Sequence, residues 1–371
     1  MKSTSMNGHI HHHKGQHGLT LIEVMISITI SLILLAGVMQ IFTSSRQTYR
    51  VQDSMARLQE NGRFALSFLS RDVRLGDYWG CLADPTVLVN NLASAGPAPS
   101  GVGFIAFNGA SGITGANNVA VAPTLAGTDT ITIQTATPVA GNINIVAPFM
   151  AVTTDPINIA PTTNALRVGD IVVVASCTNA DVFQISHGNP GGNLAASALT
   201  PAGRIFHAAG LPTPAPPAGP GNNGGTLSAL YNATAQLMTA QSITYSIQFD
   251  GANNNEPTLF QSVNGGAAVA LVEGVENMQI LYGENTTPPP AANTLPTAIN
   301  FSADRYVPAG TAGLVMANVV SIRIGLVLRT KENNLSTSVQ TFNFNGAVVT
   351  PTDRRLRRVF STTIGLRNRG A

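Results

Sequence analysis

The sequence predicts an α+β chain: a long N-terminal α-helix, with a membrane half and then an amphipathic half, packed on a domain dominated by antiparallel β-sheet with long loops. Three observations predict it. An apolar run extends from Leu19 to Phe42, apolar residues recur at steps of three and four from Met55 to Val73, and alternating segments follow, separated by stretches rich in Gly, Pro, Asn and Ala. The 371 residues are 44% hydrophobic, enough to bury a substantial core as one large domain or two smaller ones. Only 10% are charged, with 36 Gly and 22 Pro, a balance that favours short strands and long loops over helical bundles. The formal charge is +2, but Lys2 and Lys14 precede Gly18, so a chain starting at Leu19 keeps 18 of its 20 basic side chains against 18 acidic ones. Net charge therefore argues against a nucleic-acid partner.

The leading run has three readings: a cleaved secretory signal, a membrane anchor or a buried core helix. From Leu19 to Phe42 it contains no Lys, Arg, Asp, Pro or His. As a helix it reaches about 36 Å, more than a bilayer core of about 30 Å. It exceeds the apolar region of a secretory signal and continues into polar helix-forming sequence, which favours the anchor. Glu23 is the exception, since a carboxylate inside a span is costly and such groups usually have a partner. A snorkelling interfacial carboxylate is the plain alternative.

Read together, "GLTLIE" from Gly18 to Glu23 resembles the type IV prepilin signature, in which a prepilin peptidase cuts after the Gly and N-methylates the new first residue. The resemblance makes Gly18 and Leu19 the cleavage and methylation site, with Leu19 where the family more often has Phe. It also makes Glu23 the fifth mature residue, an assembly contact whose carboxylate pairs with the amine of a neighbouring subunit. Such neutralisation in low dielectric offsets much of the desolvation cost and fixes axial register. The leader holds His9, His11, His12, His13 and His17, but a segment ahead of a cut offers no outer shell to orient metal ligands, and we expect no metal there. Lys2 and Lys14 before the span and Arg46, Arg50, Arg57 and Arg63 after it would by charge count put the C-terminal side in the cytoplasm. The resemblance implies the opposite, a periplasmic C-terminal domain on a single-pass inner-membrane anchor.

Beyond the span, Met55, Leu58, Gly62, Ala65, Leu69 and Val73 form one apolar stripe suited to docking on a globular domain, and Gly76 with "GDYWGC" ends the helix. Strands are expected at Thr128 to Gln134, Asp170 to Ser176, Ser242 to Phe249, Ser321 to Thr330 and Arg357 to Arg367. "ASAGPAPSGVG", "LPTPAPPAGPGNNGG" and "TTPPPAANTLP" read as long surface loops. Cys81 and Cys177 allow one intramolecular pairing, with two buried thiols as the alternative, and a periplasmic setting favours the disulfide.

"RDVRLGDYWGC", "DIVVVASCTNADVFQIS", "VEGVENMQILYGE", "VVSIRIGLVLRTK" and "RRLRRVFSTTIGLRNR" resemble segments of the PilW-type minor pilins, in order. This resemblance implies a minor pilin that primes type IV pilus assembly or sits in a tip complex and enters the pilus. Its implied partners are other minor and major pilins, the prepilin peptidase, the inner membrane and the pilus assembly platform. Alternatives are a minor pseudopilin of type II secretion and a pilus-tip adhesin or DNA-uptake subunit. The expected organisation is a leader over 1–18, a transmembrane helix over 19–43, an amphipathic helix over 44–79 and a periplasmic β-rich domain over 80–371.

Signals for chemistry are weak. Gly219, Gly221 and Gly224 satisfy G-x-G-x-x-G without a strand before or a helix pattern after them, so no dinucleotide site follows. His187 and His207 have no ligand partners at metal spacing, and Asp250, Asn253, Asn255 and Glu256 read as a polar turn, not a Ca²⁺ loop. We expect no cofactor, no metal and no enzyme activity. Among Arg354, Arg355, Arg357, Arg358, Arg367 and Arg369, the strand pattern projects Arg357, Arg367 and Arg369 from one face. Arg358 interrupts the other face, where a carboxylate could meet it. This favours a structural strand with subunit-facing charge over DNA binding.

Overall fold

The structure, a computed structural model, describes residues 20–82, 84–93, 107, 112–139, 143–160, 166–186, 203–209, 221–287 and 302–368. Gly18, Leu19, the leader histidines, His187, Gly219 and Arg369 lie outside the described residues, as does most of each long loop. The chain divides into two compact units, Met1–Asp53 and Ser54–Ala371.

In the first unit the apolar run is helical, part of α1 (Leu21–Leu75), and its most apolar window has no buried residue. A helix in hydrocarbon must satisfy its polar groups internally. The hydroxyls of Ser27, Thr29 and Ser31 each donate to the carbonyl four residues back at 2.7 Å, and Thr43 does so at 3.0 Å. Thr20 accepts the Glu23 N–H on its carbonyl at 3.1 Å and on Oγ1 at 3.4 Å, closing the first turn.

In the second unit the expected stripe is buried at Leu58, Gly62, Ala65, Leu69 and Val73 and half-buried at Met55. Asp72 is buried with it, a position the apolar spacing does not mark. The helix ends at Leu75, where Gly76 N–H turns back to the Val73 carbonyl and Asp77 adopts a left-handed φ of 60°.

Among the described residues sixteen strands follow. The first eight are β1 (Leu88–Asn90), β2 (Ile113–Val119), β3 (Thr128–Pro138), β4 (Ile157–Asn158), β5 (Ile171–Ala175), β6 (Ala180–Gln184), β7 (Arg204–Ile205) and β8 (Gln236–Asp250). The rest are β9 (Glu256–Val263), β10 (Val269–Glu273), β11 (Val275–Glu284), β12 (Arg305–Pro308), β13 (Val319–Arg329), β14 (Phe342–Phe344), β15 (Ala347–Val349) and β16 (Arg357–Gly365). All five segments expected from alternation are strands: β3, β5, β8, β13 and β16.

One sheet runs β1-β6-β5-β8-β3-β2, antiparallel except for the parallel β1–β6 pair. The 15-residue β8 organises it. One edge pairs with β3, and the other is shared by β5 at Gln236 to Thr239 and β9 at Ile243 to Asp250, with β10 beyond β9. The second sheet, β12-β11-β13-β16, is fully antiparallel. β4 pairs β7 and β14 pairs β15 as small ribbons.

The helix stripe and both sheets share one apolar cluster. Ala65, Leu69 and Val73 join Ile131, Ile133, Tyr245 and Ile247 of the first sheet and Met278, Ile280, Ile322, Ile324 and Leu326 of the second. Burying each large side chain is worth roughly 1.5–3 kcal/mol against leaving it exposed. On β13 the alternation holds for Ile322, Ile324, Leu326 and Leu328, but Val327 on the other face is also buried, in company with Phe344 of the β14–β15 ribbon. Covering by a later ribbon is invisible in the period of the strand itself.

Gly62 sets how closely α1 approaches β16, because a Cβ there would lie 2.5 Å from the Phe360 ring. Gly62→Val should destabilise the domain by about 1–3 kcal/mol through overpacking. Adding Phe360→Ala should recover part of that loss, and chemical denaturation of the two single variants and the pair measures the coupling.

Candidate functional site

Within the described part of the run, Leu21 to Phe42, Glu23 is the one charged side chain. It is exposed, and its neighbours Leu21, Ile22 and Met25 are 81%, 67% and 61% exposed. The hydrogen bonds here engage the backbone of Glu23, and among the described residues its carboxylate has no hydrogen-bond or ion-pair partner. A continuous apolar surface with one free acid is an interaction surface by its chemistry: the surface must leave water and the acid must find a positive partner.

Below the helix end, Cys81 and Cys177 form a disulfide with their Cα atoms 4.7 Å apart. The bond links the segment leaving α1 to the turn between β5 and β6, where Ser176 Oγ accepts the Asn179 N–H at 3.0 Å. Trp79 packs beside it with Leu88, Val173, Ala175, Ala180 and Val182 in a separate apolar cluster.

Among the described residues six carboxylates are buried, Asp72, Asp77, Asp129, Asp181, Glu256 and Glu284, and the partners of Asp72, Asp181 and Glu284 were not legible from spacing. Asp72 on α1 accepts from Tyr245 Oη at 2.6 Å, Gln261 Nε2 at 3.2 Å and Arg71 Nε at 2.8 Å, tying the helix to β8 and β9. Burial first, and then the hydrogen bond to Asp72, push the Tyr245 phenol up. Asp181 accepts from Ser228 N–H and Oγ, Tyr231 Oη at 2.6 Å and Asn91 Nδ2 at 2.7 Å. Glu284 takes Arg305 at 2.6 Å and the Val315 N–H at 2.8 Å. Filled with internal donors, these acids are structural joints.

The C-terminal arginine run is largely consumed. Arg357, 6% exposed, bonds both oxygens of Glu276 and of Asp353, while Arg355 and Arg329 reach Glu256. The hydrogen bond from Arg357 holds the Asp353 carboxyl below the usual carboxylate range. Arg354 Nε donates to Asn334 at 3.0 Å. Arg358, expected opposite a carboxylate, lies over the Phe360 ring at 5.9 Å instead, because β16 leaves it exposed beside that ring. Arg367 is exposed.

Asp250 caps the turn after β8 by accepting the Ala252 N–H at 3.0 Å, and Asn254 and Asn255 take left-handed conformations. Glu256 faces the arginines, so the four oxygens considered for Ca²⁺ are divided between a turn and an ion-pair cluster. Among the described residues no group of three or more His, Cys, Asp or Glu is placed to hold a metal. His207 is buried against Phe183, with Nε2 at 2.9 Å from the Asp155 carbonyl and no partner for Nδ1 among the described residues. Burial lowers its pKa below 6.5.

Residues 244–368, from within β8 to just past β16, match the family model described as Type IV Pilus-assembly protein W. Residues 13–39 match the prokaryotic N-terminal methylation motif. No curated protein and no solved structure matches the chain.

Two outcomes test this geometry. Cys177→Ser should lower stability by a few kcal/mol, against about 4–5 kcal/mol in the chain-entropy model for a loop of 96 residues, measured by denaturation with and without reductant. A His207 held neutral contributes stability that is complete above pH 6.5 and falls away as pH drops through and below that value. His207→Gln should flatten this acid limb of the thermal-melting profile.

Proposed function

We propose that this chain, which the two family matches support as a PilW-type pilin carrying an N-terminal methylation signature, acts as a minor pilin that primes type IV pilus assembly or forms part of a tip complex. The observation that carries this reading is Glu23, an exposed carboxylate and the one charged side chain of the described run Leu21 to Phe42, inside the region that matches the methylation motif. Families of this kind are structural, and the buried acids Asp72, Asp181, Glu256 and Glu284 are held by internal hydrogen bonds and ion pairs, so the reading includes no enzymatic step.

In this reading prepilin peptidase cuts between Gly18 and Leu19 and methylates the new amine. Residues 19–43 hold the chain in the inner membrane, 44–79 carry the helix into the globular part, and 80–371 form a periplasmic domain. During assembly the Glu23 carboxylate meets the N-terminal amine of an adjacent pilin. Pairing removes two desolvated charges at once, and a subunit displaced along the helix axis loses it, so the contact sets register. Other minor and major pilins and the assembly platform are the partners.

Glu23→Ala should insert into the membrane normally, since it removes a polar cost, yet fail to support piliation. Gly18→Arg should leave the leader attached, read by mass spectrometry of the mature N-terminus. Normal piliation by Glu23→Ala, in cells where no other minor pilin compensates, would reduce Glu23 to an interfacial residue.

A further inference from the structure

The arginines of the C-terminal run separate in space. Arg355 and Arg357 are locked in ion pairs, but Arg367 joins Arg71 and Arg74 from the last turns of α1 around a concavity of about 400 Å³, with Ser67, Ser70 and Leu75 completing its wall. Among the described residues no carboxylate lines it. Asp72, adjacent in sequence, is buried and occupied by Tyr245, Gln261 and the Nε of Arg71, which leaves the Arg71 side chain 63% exposed. Asn368 Nδ2 donates to the Gly76 carbonyl at 3.0 Å and fixes the chain next to Arg367 against the helix end.

The concavity continues into a strip of helix. Arg63, Ser67, Ser70 and Arg74 recur at steps of four, three and four and so share one face, about 16 Å long at 1.5 Å per residue. Phe64 and Phe68 lie on the adjoining edge of that face, Phe64 being 51% exposed and Arg71 standing 6.0 Å over the Phe68 ring. The exposed carboxylate on this strip is Glu60, one turn before Arg63. Complementing the carbonyl end of the helix accounts for Arg74, the basic residue of the last turn. It does not account for Arg367, which arrives from beyond β16, nor for the hydroxyls and exposed phenyl ring in line with it.

We propose that this face binds the backbone of a single-stranded nucleic acid. The guanidiniums and serine hydroxyls contact successive phosphates, and Phe64 offers a stacking surface for a base. A linear polyanion fits the length of the track better than a single anion does, and sequence-tolerant binding to single strands combines a basic track with aromatic platforms in this way. The neutral total charge of residues 19–371 does not oppose it, because Arg355 and Arg357 are cancelled by local acids while this face is left positive. The proposal is independent of pilus assembly.

The test is fluorescence anisotropy of the full chain in neutral detergent micelles with a labelled oligothymidylate as probe, titrated at several NaCl concentrations. Micromolar affinity that falls steeply with salt is expected. Arg74→Gln with Arg367→Gln should weaken it by about tenfold or more and reduce the salt slope, and Phe64→Ala by roughly fivefold. Arg358→Gln, an exposed arginine outside the concavity, should bind as the parent does. All these positions are exposed, so unchanged thermal melting confirms that each variant is folded, and Arg74→Lys with Arg367→Lys, keeping the charge, should retain most of the affinity. Absence of salt-sensitive binding, or equal binding by the Arg74 and Arg367 variant, overturns the proposal. Tighter binding to polyglutamate or to phosphatidylglycerol vesicles than to the oligonucleotide assigns the face to an acidic protein or a lipid and overturns it as well.

Discussion

α1 changes along its length in what it does with its apolar surface, and the packing of the second unit depends on that change. Over its first turns every face is apolar, and the hydroxyls of Ser27, Thr29 and Ser31 are folded back onto carbonyls. From Leu58 onward only one stripe is apolar, and it is sealed by residues from two sheets. A helix of this length gains most of its stability from such packing and not from propensity. The second sheet is thus as necessary to the helix as the first, since Ile322, Ile324 and Leu326 of β13 lie in the same cluster as Leu69 and Val73.

Polar interactions then pin what apolar packing brings together. Asp72 places a carboxylate inside the helix–sheet contact, where Tyr245 and Gln261 meet it from neighbouring strands. Arg329 of β13 and Arg355 just before β16 reach Glu256 at the start of β9, so ion pairs bridge the two sheets. An apolar contact tolerates sliding, whereas these bonds fix direction and register. The cost is that each partner removed leaves the other buried and unpaired.

The architecture was legible where a physical period was strong. The stripe from Leu58 to Val73 and the alternation of Ile322, Ile324, Leu326 and Leu328 each report a single buried face, and the structure buries those residues. Short strands such as β1 and β6 carried no comparable signal, because β1 is only three residues long and β6 is buried on both faces. Asp72 was hidden for a different reason: its meaning depends on Tyr245 and Gln261, more than 170 residues away. The arginine run misled in detail for the same reason, since which arginines are neutralised depends on Glu256, Glu276 and Asp353. Glu23 was legible because an acid in an apolar run needs no distant partner to stand out, while its cleavage context at Gly18 and Leu19 lies outside the described residues.

The bond between Cys81 and Cys177 also has a mechanical meaning. Tension entering through α1 reaches Cys81 six residues after the helix ends and crosses covalently to Cys177. The 95 intervening residues, which include β2, β3 and β5, form a closed loop in parallel with that crossing and bear no axial load along their own backbone. Force continues instead through the later strands, β6 onward, so a chain pulled from its two ends can lengthen by the contour of those strands and never by that of the loop while the sulfurs stay joined.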